Sequence, residues 1–526
     1  MIAITWTTKN IQIYNIYWSS WLDDCGFVLL MRRSMLRPWD LAIQLQHQHG
    51  TALHRQIVQA IIEEIRRGRL ARGAPMPGTR ELAERLSVNR KTVVLAYEEL
   101  AAQGWLEAQA RRGTFVAAEF PVAEKGLDPA ALLQGADPVG SGSEGSMPVL
   151  DTEWHGEANA GVIDFNDGVP DSRMIPYAAL ARAFRHALIK TARNNQLGYG
   201  DPRGALALRQ SLARMLNLER GLACNEDTLC LVRGSQMGIY LAARVLVRPG
   251  DAVAFEALSY APAREAFRAC GATLLAVGQD QYGLIPDELE RLCRTHRVRA
   301  VYVTPHHQYP TTVMMPAERR LRLLALAEQF DFAIVEDDYD HEFHFDHRPM
   351  LPMASIDRGG KVIYIGSMSK GLAPGLRVGY VAAARSIVDR CAATVRQIDR
   401  QGNAITELAV NELLESGELK RHLRRALRVY AQRRDAAVQV IRSELEGLVE
   451  FDIPPGGLAL WLRLCNGQDA SSLTARALAH PIRLVPSEQY ATDSAAVPGI
   501  RIGYASLEPD KFAAGIRSLR AVLMSG

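Results

Sequence analysis

Gly234-Ser235-Gln236 closes and follows the run "TLCLVRG", Asp337-Asp338-Tyr339 closes and follows "FAIVEDD", and Ser367, Ser369 and Lys370 end and follow "KVIYIGS", with Arg377 seven positions beyond the lysine. An ammonium group in so cramped and apolar a stretch as "YIGSMSKGLAPGLRVGYV" is costly unless something engages it. A phosphorylated aldehyde needs this set of side chains. An amine forms a Schiff base, and a carboxylate keeps a pyridine nitrogen protonated so that the ring accepts electrons. A phenol hydrogen-bonds the ring oxygen, while hydroxyls, a guanidinium and the first N–H groups of a helix hold phosphate. Alone, a lysine in a Gly/Ser loop is most often a surface residue. The order of Ser235, Asp337, Tyr339, Lys370 and Arg377 along the chain reverses that judgement.

Such residues need a scaffold that brings distant loops to one edge. From residue 161 onward, β-branched runs ("TLCLVRG", "AVAFEA", "ATLLAVG", "RAVYVTP", "FAIVEDD", "KVIYIGS") alternate with amphipathic stretches such as "QMGIYLAARVL" and "RRLRLLALAEQF". That alternation predicts an α/β domain with a mostly parallel sheet wrapped by helices. Ligands of such sheets gather beyond the strand ends, which is where the residues above fall.

The front of the chain has a different pattern. Ile57, Ala60, Ile61 and Ile65 recur at helical spacing before Gly68. A second helix is expected after Pro77-Gly78, with Thr79 as its N-cap and Leu82, Ala83 and Leu86 on one face. A third is expected from about Arg90 to Gln103, with Val93, Val94, Tyr97, Leu100 and Ala101 inward and Gly104 as its stop. Polar and basic residues at the start of the third helix fit a helix-turn-helix, whose second helix enters the major groove. "GWLEAQARRGTFVA" then reads as two short strands around Arg111-Arg112-Gly113, a wing. The plainer reading is a helical interaction module with a solvated basic face.

The whole chain sets the bounds. Its 526 residues exceed one core. With 48% hydrophobic and 23% charged residues, the composition is that of a soluble globular protein. Seven scattered cysteines without a CxxC pair fit a reducing cytoplasm rather than a disulfide framework or zinc finger. No apolar run is long enough to span a membrane. Residues 35–117 carry 12 basic against 8 acidic side chains, whereas the formal net charge of the whole chain is only +3, so positive charge gathers at the front. Residues 1–34 lack clear periodicity and read as a disordered or mis-assigned extension. Residues 118–160 turn to Gly, Pro, Ser, Ala and acids and read as a flexible linker. The expected division is 1–34, 35–117, 118–160 and 161–526.

"PGTRELAERLSVNRKTV", "AYEELAAQGWL" and "RRGTFV" together resemble the winged helix-turn-helix of the GntR family of transcription regulators. The resemblance implies Arg80, Arg90, Lys91, Thr92, Arg111, Gly113 and Thr114 as contacts to double-stranded operator DNA. "SMSKGLAPGLRVGY" is similar to the lysine motif of fold type I pyridoxal-phosphate enzymes, the aminotransferase fold. "YGDPRGALALRQSLA", "TPHHQYPTTVMM" and "EDDYDHEF" support it. Together the two halves resemble the MocR/GabR branch of GntR regulators. The resemblance implies pyridoxal 5'-phosphate on Lys370, with Asp337 at the pyridine nitrogen, Tyr339 beside the ring oxygen and Tyr260 stacked on the ring. It places Ser235, Gln236, Ser367, Ser369 and Arg377 around the phosphate, and Arg501 on the carboxylate of an amino compound.

Two departures stand out. A second carboxylate-gripping arginine two places beyond the stacking tyrosine is absent, since Ala261-Pro262 follow Tyr260, leaving Arg264 as the nearby alternative. Pro310-Thr311-Thr312 stands where the family often has Pro-x-Gly, which implies a differently shaped loop over the cofactor. Asp337, His341, His344 and His347 suggest a metal, with His341 and His344 on one helical face. No metal is expected, because Asp337 and Tyr339 have cofactor roles and no companion ligands are visible elsewhere. His306-His307 reads as loop structure or pocket lining, and Arg501 has a structural ion pair as its plainer role. The expected function is a cytoplasmic, homodimeric regulator sensing the cofactor or an amine. The alternative is an active aminotransferase carrying a DNA-binding head.

Overall fold

The computed structural model describes residues 43, 45, 52–109, 112–118, 161–165, 168–194, 198–345, 350–465, 467–493 and 497–525. The expected extension 1–34, and all of the expected linker except Ala118, lie outside them. The chain divides into two compact units between Glu153 and Trp154.

In the first unit, helices Leu53–Arg66, Thr79–Arg85 and Arg90–Ala102 are followed by the antiparallel strands Leu106–Gln109 and Gly113–Val116. Ile57, Val58, Ile61, Leu82, Val93, Ala96, Tyr97 and Leu100 close on one another as its core. Two expectations need correction. Thr79 is the first helical residue and Gly78 the cap, without a side-chain cap bond. Ala101 is exposed, and Ala96 takes an inward place instead, one turn before Leu100. Asn89 caps the third helix, its side-chain oxygen accepting from the Lys91 N–H at 2.9 Å. The turn before it runs through Ser87 at φ 51°, and Gly68 and Gly104 follow their helices at φ 72° and 76°.

The second unit is built on a seven-stranded sheet. Its strands are Leu229–Val232, Ala252–Glu256, Thr273–Val277, Val298–Val303, Ala333–Asp338, Val362–Ser367 and Gly379–Ala382. In space the order runs first, seventh, sixth, fifth, fourth, second, third. Gly379–Ala382 is antiparallel to both of its neighbours, and every other pairing is parallel. Alternate residues enter two separate cores. Val301, Val303, Ile334 and Tyr364 face one, and Ala300, Tyr302, Val335, Ile363 and Ile365 face the other. The strands are apolar on both sides because helices cover both sides.

Towards the C-terminus, Val449–Glu450, Ala459–Leu464 and Gly499–Gly503 form an antiparallel sheet. The long helix Glu418–Glu444 and the last helix, Pro509–Met524, share a third core with it. Among the described residues, no helix is long and apolar enough to cross a membrane.

Candidate nucleic-acid interface and strand-end site

In the first unit, Arg80, Arg90 and Lys91 are exposed, and Thr92 is half-buried at the start of the third helix. The Arg90 Nε donates to the Thr79 hydroxyl at 3.3 Å, across the turn between the two helices. In the wing, Gly113 has φ 111°, which a β-carbon would strain, and open space surrounds it. Thr114 is half-buried, and its carbonyl accepts from the Met76 N–H at 2.8 Å. Arg112 lies over the Phe115 ring at 5.7 Å. Arg111 lies outside the described residues. The unit thus offers a helix start with exposed cationic side chains and, after the helix, a short hairpin.

In the second unit the strand register assembles the edge. Val232, Gly379 and Ser367 stand side by side across three neighbouring strands, and Asp338 pairs with Gly366 on the next. Gly234, at φ 77°, opens the helix Gly234–Leu246, and a β-carbon there would sit 2.5 Å from the Arg377 Nη2. Arg377 also donates to the Arg233 carbonyl at 3.1 Å, so its guanidinium lies against the start of that helix, next to Ser235. The Ser367 hydroxyl accepts from the Ser369 N–H at 3.1 Å, while the Ser369 hydroxyl is buried without a hydrogen-bond partner. Gln236 uses its amide nitrogen on the Pro262 carbonyl at 2.8 Å and leaves its side-chain oxygen buried and unpaired. A cleft of about 270 Å³ lies beside Arg377, Gly402 and Thr406.

Asp337 and Asp338 are neighbours on a strand and therefore point to opposite faces. Asp337 is 3% exposed and shares its face with Tyr302, whose hydroxyl donates to the carboxylate at 2.7 Å. The other oxygen, Oδ1, is buried and makes no hydrogen bond. Burial pushes this carboxyl up to about 7, against the pull of the Tyr302 bond. Lys370 donates to the Gly168 carbonyl at 2.9 Å. Tyr339 donates to the His307 carbonyl at 2.9 Å, and its phenol is held above its ordinary range chiefly by burial.

Arg501, 2% exposed in strand Gly499–Gly503, reaches the Tyr339 hydroxyl at 3.5 Å and the Pro310 carbonyl at 2.8 Å, and lies 5.0 Å from the Tyr309 ring. Tyr260 meets Tyr309 edge to face at 5.1 Å, and both Tyr260 and Tyr339 pack on the cluster of Leu258, Tyr309, Trp461 and Tyr490. Arg264 does not serve as the second clamp. Its guanidinium is buried and bonded to the carbonyls of Ser259, Gln489 and Tyr490, and burial lowers it to about 10. In the Pro310-Thr311-Thr312 loop, Thr312 adopts φ 63°, a conformation that favours glycine.

Residues that sequence reasoning missed lie mostly on the other side of contacts. Tyr302 belongs to the run "RAVYVTP", where a phenol inside an apolar strand was the available signal. On the opposite face, Asp338 accepts from the Tyr364 hydroxyl at 2.6 Å and lies 3.9 Å from Arg220. Burial opposes its ionisation, but His341, His306 and Arg220 hold its carboxyl well below the usual range. His341 and His344 do not share a helix as expected: His341 stands in a turn and His344 in an isolated β-bridge to Gly456, and His306 comes close to both from the loop after Val298–Val303. His347 lies outside the described residues.

Comparison with known proteins covers both units. Residues 53–116 match the family "Bacterial regulatory proteins, gntR family", and residues 160–519 match "Aminotransferase class I and II". The chain is 30% identical over 483 residues to the probable rhizopine catabolism regulatory protein MocR of Rhizobium meliloti, covering 91% of this chain and 96% of that one. It is 31% identical over 494 residues to the HTH-type transcriptional regulator TauR of Rhodobacter capsulatus, covering 90% and 97%. Among solved structures, LysN, the alpha-aminoadipate aminotransferase of Thermus thermophilus complexed with N-(5'-phosphopyridoxyl)-L-leucine, superposes with a TM-score of 0.65. It shares 28% identity over 70% of this chain and 93% of that one.

Proposed function

This chain is a MocR-type transcription regulator of the GntR family, a DNA-binding helix-turn-helix joined to an aminotransferase class I and II domain, and from that premise we propose that the large domain is a pyridoxal 5'-phosphate-dependent sensor. The observation that carries the reading is Asp337. A fully buried carboxylate with one oxygen held by Tyr302 and the other unpaired has a place for one more donor, and a protonated pyridine nitrogen supplies it. The unpaired Ser369 hydroxyl and the Arg377 guanidinium over the Gly234 turn suit a phosphate in the same way.

Lys370 is the amine that engages the cofactor aldehyde, and Tyr260 and Tyr339 flank the ring. When bound, the cofactor supplies an electron sink for an amino compound. Ser235, Gln236, Ser367, Ser369 and Arg377 hold its phosphate. Arg501, planar and buried beside Tyr339, grips the carboxylate of an amino-acid effector by a bidentate pair. Arg80, Arg90, Lys91, Thr92, Arg111, Gly113 and Thr114 contact operator DNA. Two copies of the chain would place paired helices on repeated half-sites.

The test is operator affinity with and without pyridoxal 5'-phosphate and candidate amines, for the wild type and Lys370→Ala. A shift in operator affinity that needs both the cofactor and Lys370 supports the sensor. Steady amino transfer from donor to keto acid, with operator affinity indifferent to the cofactor, would favour the enzyme instead.

A further inference from the structure

We propose that His306, His341 and His344 form a binding site for a divalent transition ion of the zinc type, on the Asp338 side of the sheet and separate from the candidate cofactor face. Each imidazole offers one ring nitrogen, and the three atoms lie within 4.8 Å of one another. The rings crowd together at centroid separations of 4.6 Å for His306 and His341, 4.5 Å for His306 and His344, and 5.6 Å for His341 and His344. His306 is 2% exposed and His341 6% exposed.

Their hydrogen bonding is incomplete. Both ring nitrogens of His306 and the Nε2 of His344 are buried with no hydrogen-bond partner. Leaving such a polar atom unsatisfied costs about 1–3 kcal/mol, so the one His306 nitrogen that faces the cluster and the His344 Nε2 call for a shared partner. Asp338 lies 2.9 Å from the His341 Nδ1, which makes no hydrogen bond as it stands, so the carboxylate is placed to hold that ring from behind once the ring turns.

Three nitrogen donors suit zinc, cobalt, nickel or copper over magnesium or calcium, which take oxygen ligands. Zinc–nitrogen bonds are about 2.0–2.1 Å, so the rings must draw inward by small rotations, leaving a fourth position open. An ion there would tie the loop through His306 to the turn through His341 and His344. Next to it in sequence is His307, whose carbonyl receives the Tyr339 hydroxyl.

The experiment uses the full-length chain without a polyhistidine tag, freed of metal by a chelator and titrated with Co²⁺, then with Zn²⁺. The expected result is one Co²⁺ per chain with visible ligand-field absorption, abolished by one equivalent of Zn²⁺, and a thermal transition raised by Zn²⁺. In His344→Gln, and separately in His306→Asn, Co²⁺ affinity falls by at least about tenfold. A wild-type chain that gives no saturable Co²⁺ absorption overturns the proposal, whatever the variants do. Equal stoichiometry and affinity in folded variants overturns it as well, by placing the ion elsewhere.

Discussion

Replacing Asp337 by Asn separates two consequences of burying one carboxylate. Raising a carboxyl from 3.8 to about 7 corresponds to a ceiling of about 4 kcal/mol for holding it ionised in the folded chain. The sign follows from proton counting. Between those two values the native state binds more protons at Asp337 than the unfolded state does, so its contribution to stability falls as pH rises. The penalty is absent below about pH 4 and fully present above about pH 7. In cofactor-free protein, Asp337→Asn should match the wild type near pH 4 and exceed it at pH 8, by up to about 4 kcal/mol. Cofactor affinity moves the other way, because a hydrogen bond to a charged partner is worth about 1.5–3 kcal/mol, so Asp337→Asn should bind pyridoxal 5'-phosphate roughly 10- to 150-fold more weakly. Calorimetry of the large unit's transition from pH 4 to 8 and a spectroscopic cofactor titration measure the two effects. Parallel stability profiles would refute the buried, unpaired carboxylate, and unchanged cofactor affinity would refute its partnership with the pyridine nitrogen.

Arg90→Ala removes an exposed guanidinium with one long side-chain bond, so the thermal transition should move little while operator affinity falls by about 1–3 kcal/mol or the salt slope drops by about one. Unaltered operator binding by mobility shift would take Arg90 out of the interface. Tyr302→Phe strips Asp337 of its donor and should destabilise the large unit by about 1–3 kcal/mol at pH 8 and less at pH 5, read by thermal unfolding. An equal loss at both pH values would point to packing rather than to the carboxylate. Gly456→Ala places a β-carbon 2.1 Å from the Phe343 carbonyl oxygen, so a loss of about 1–3 kcal/mol is expected in the same assay. A neutral result would contradict the close approach of those two loops.

Local signals carried much of the fold. The alternation of β-branched runs with amphipathic stretches announced a mostly parallel sheet, and Ile57, Ile61 and Ile65 announced the first helix, because periodicity is set by neighbours in sequence. Errors arose where tertiary contacts decide. Thr79 looked like a cap, yet Gly78 takes that place and the Thr79 hydroxyl accepts from Arg90 eleven residues on. Ala96 rather than Ala101 packs inward, a choice made by the facing helices.

At the candidate site, Asp337, Tyr339, Lys370 and Arg377 were legible because strand ends and glycine turns mark them in sequence. Their holders were not, since the Tyr302 hydroxyl and the Gly168 and His307 carbonyls come from remote segments. The histidine cluster was hidden for the same reason, as His306 reaches His341 and His344 only through the sheet register.

The central claim is that Lys370 holds pyridoxal 5'-phosphate in a domain that informs the DNA-binding head. Its most direct test is the visible absorption spectrum of purified wild-type and Lys370→Ala protein with the cofactor, before and after candidate amines. A cofactor band that requires Lys370 and changes with an amine is the predicted result. A spectrum of free cofactor in both proteins would contradict the account, leaving a DNA-binding chain whose large domain serves another purpose.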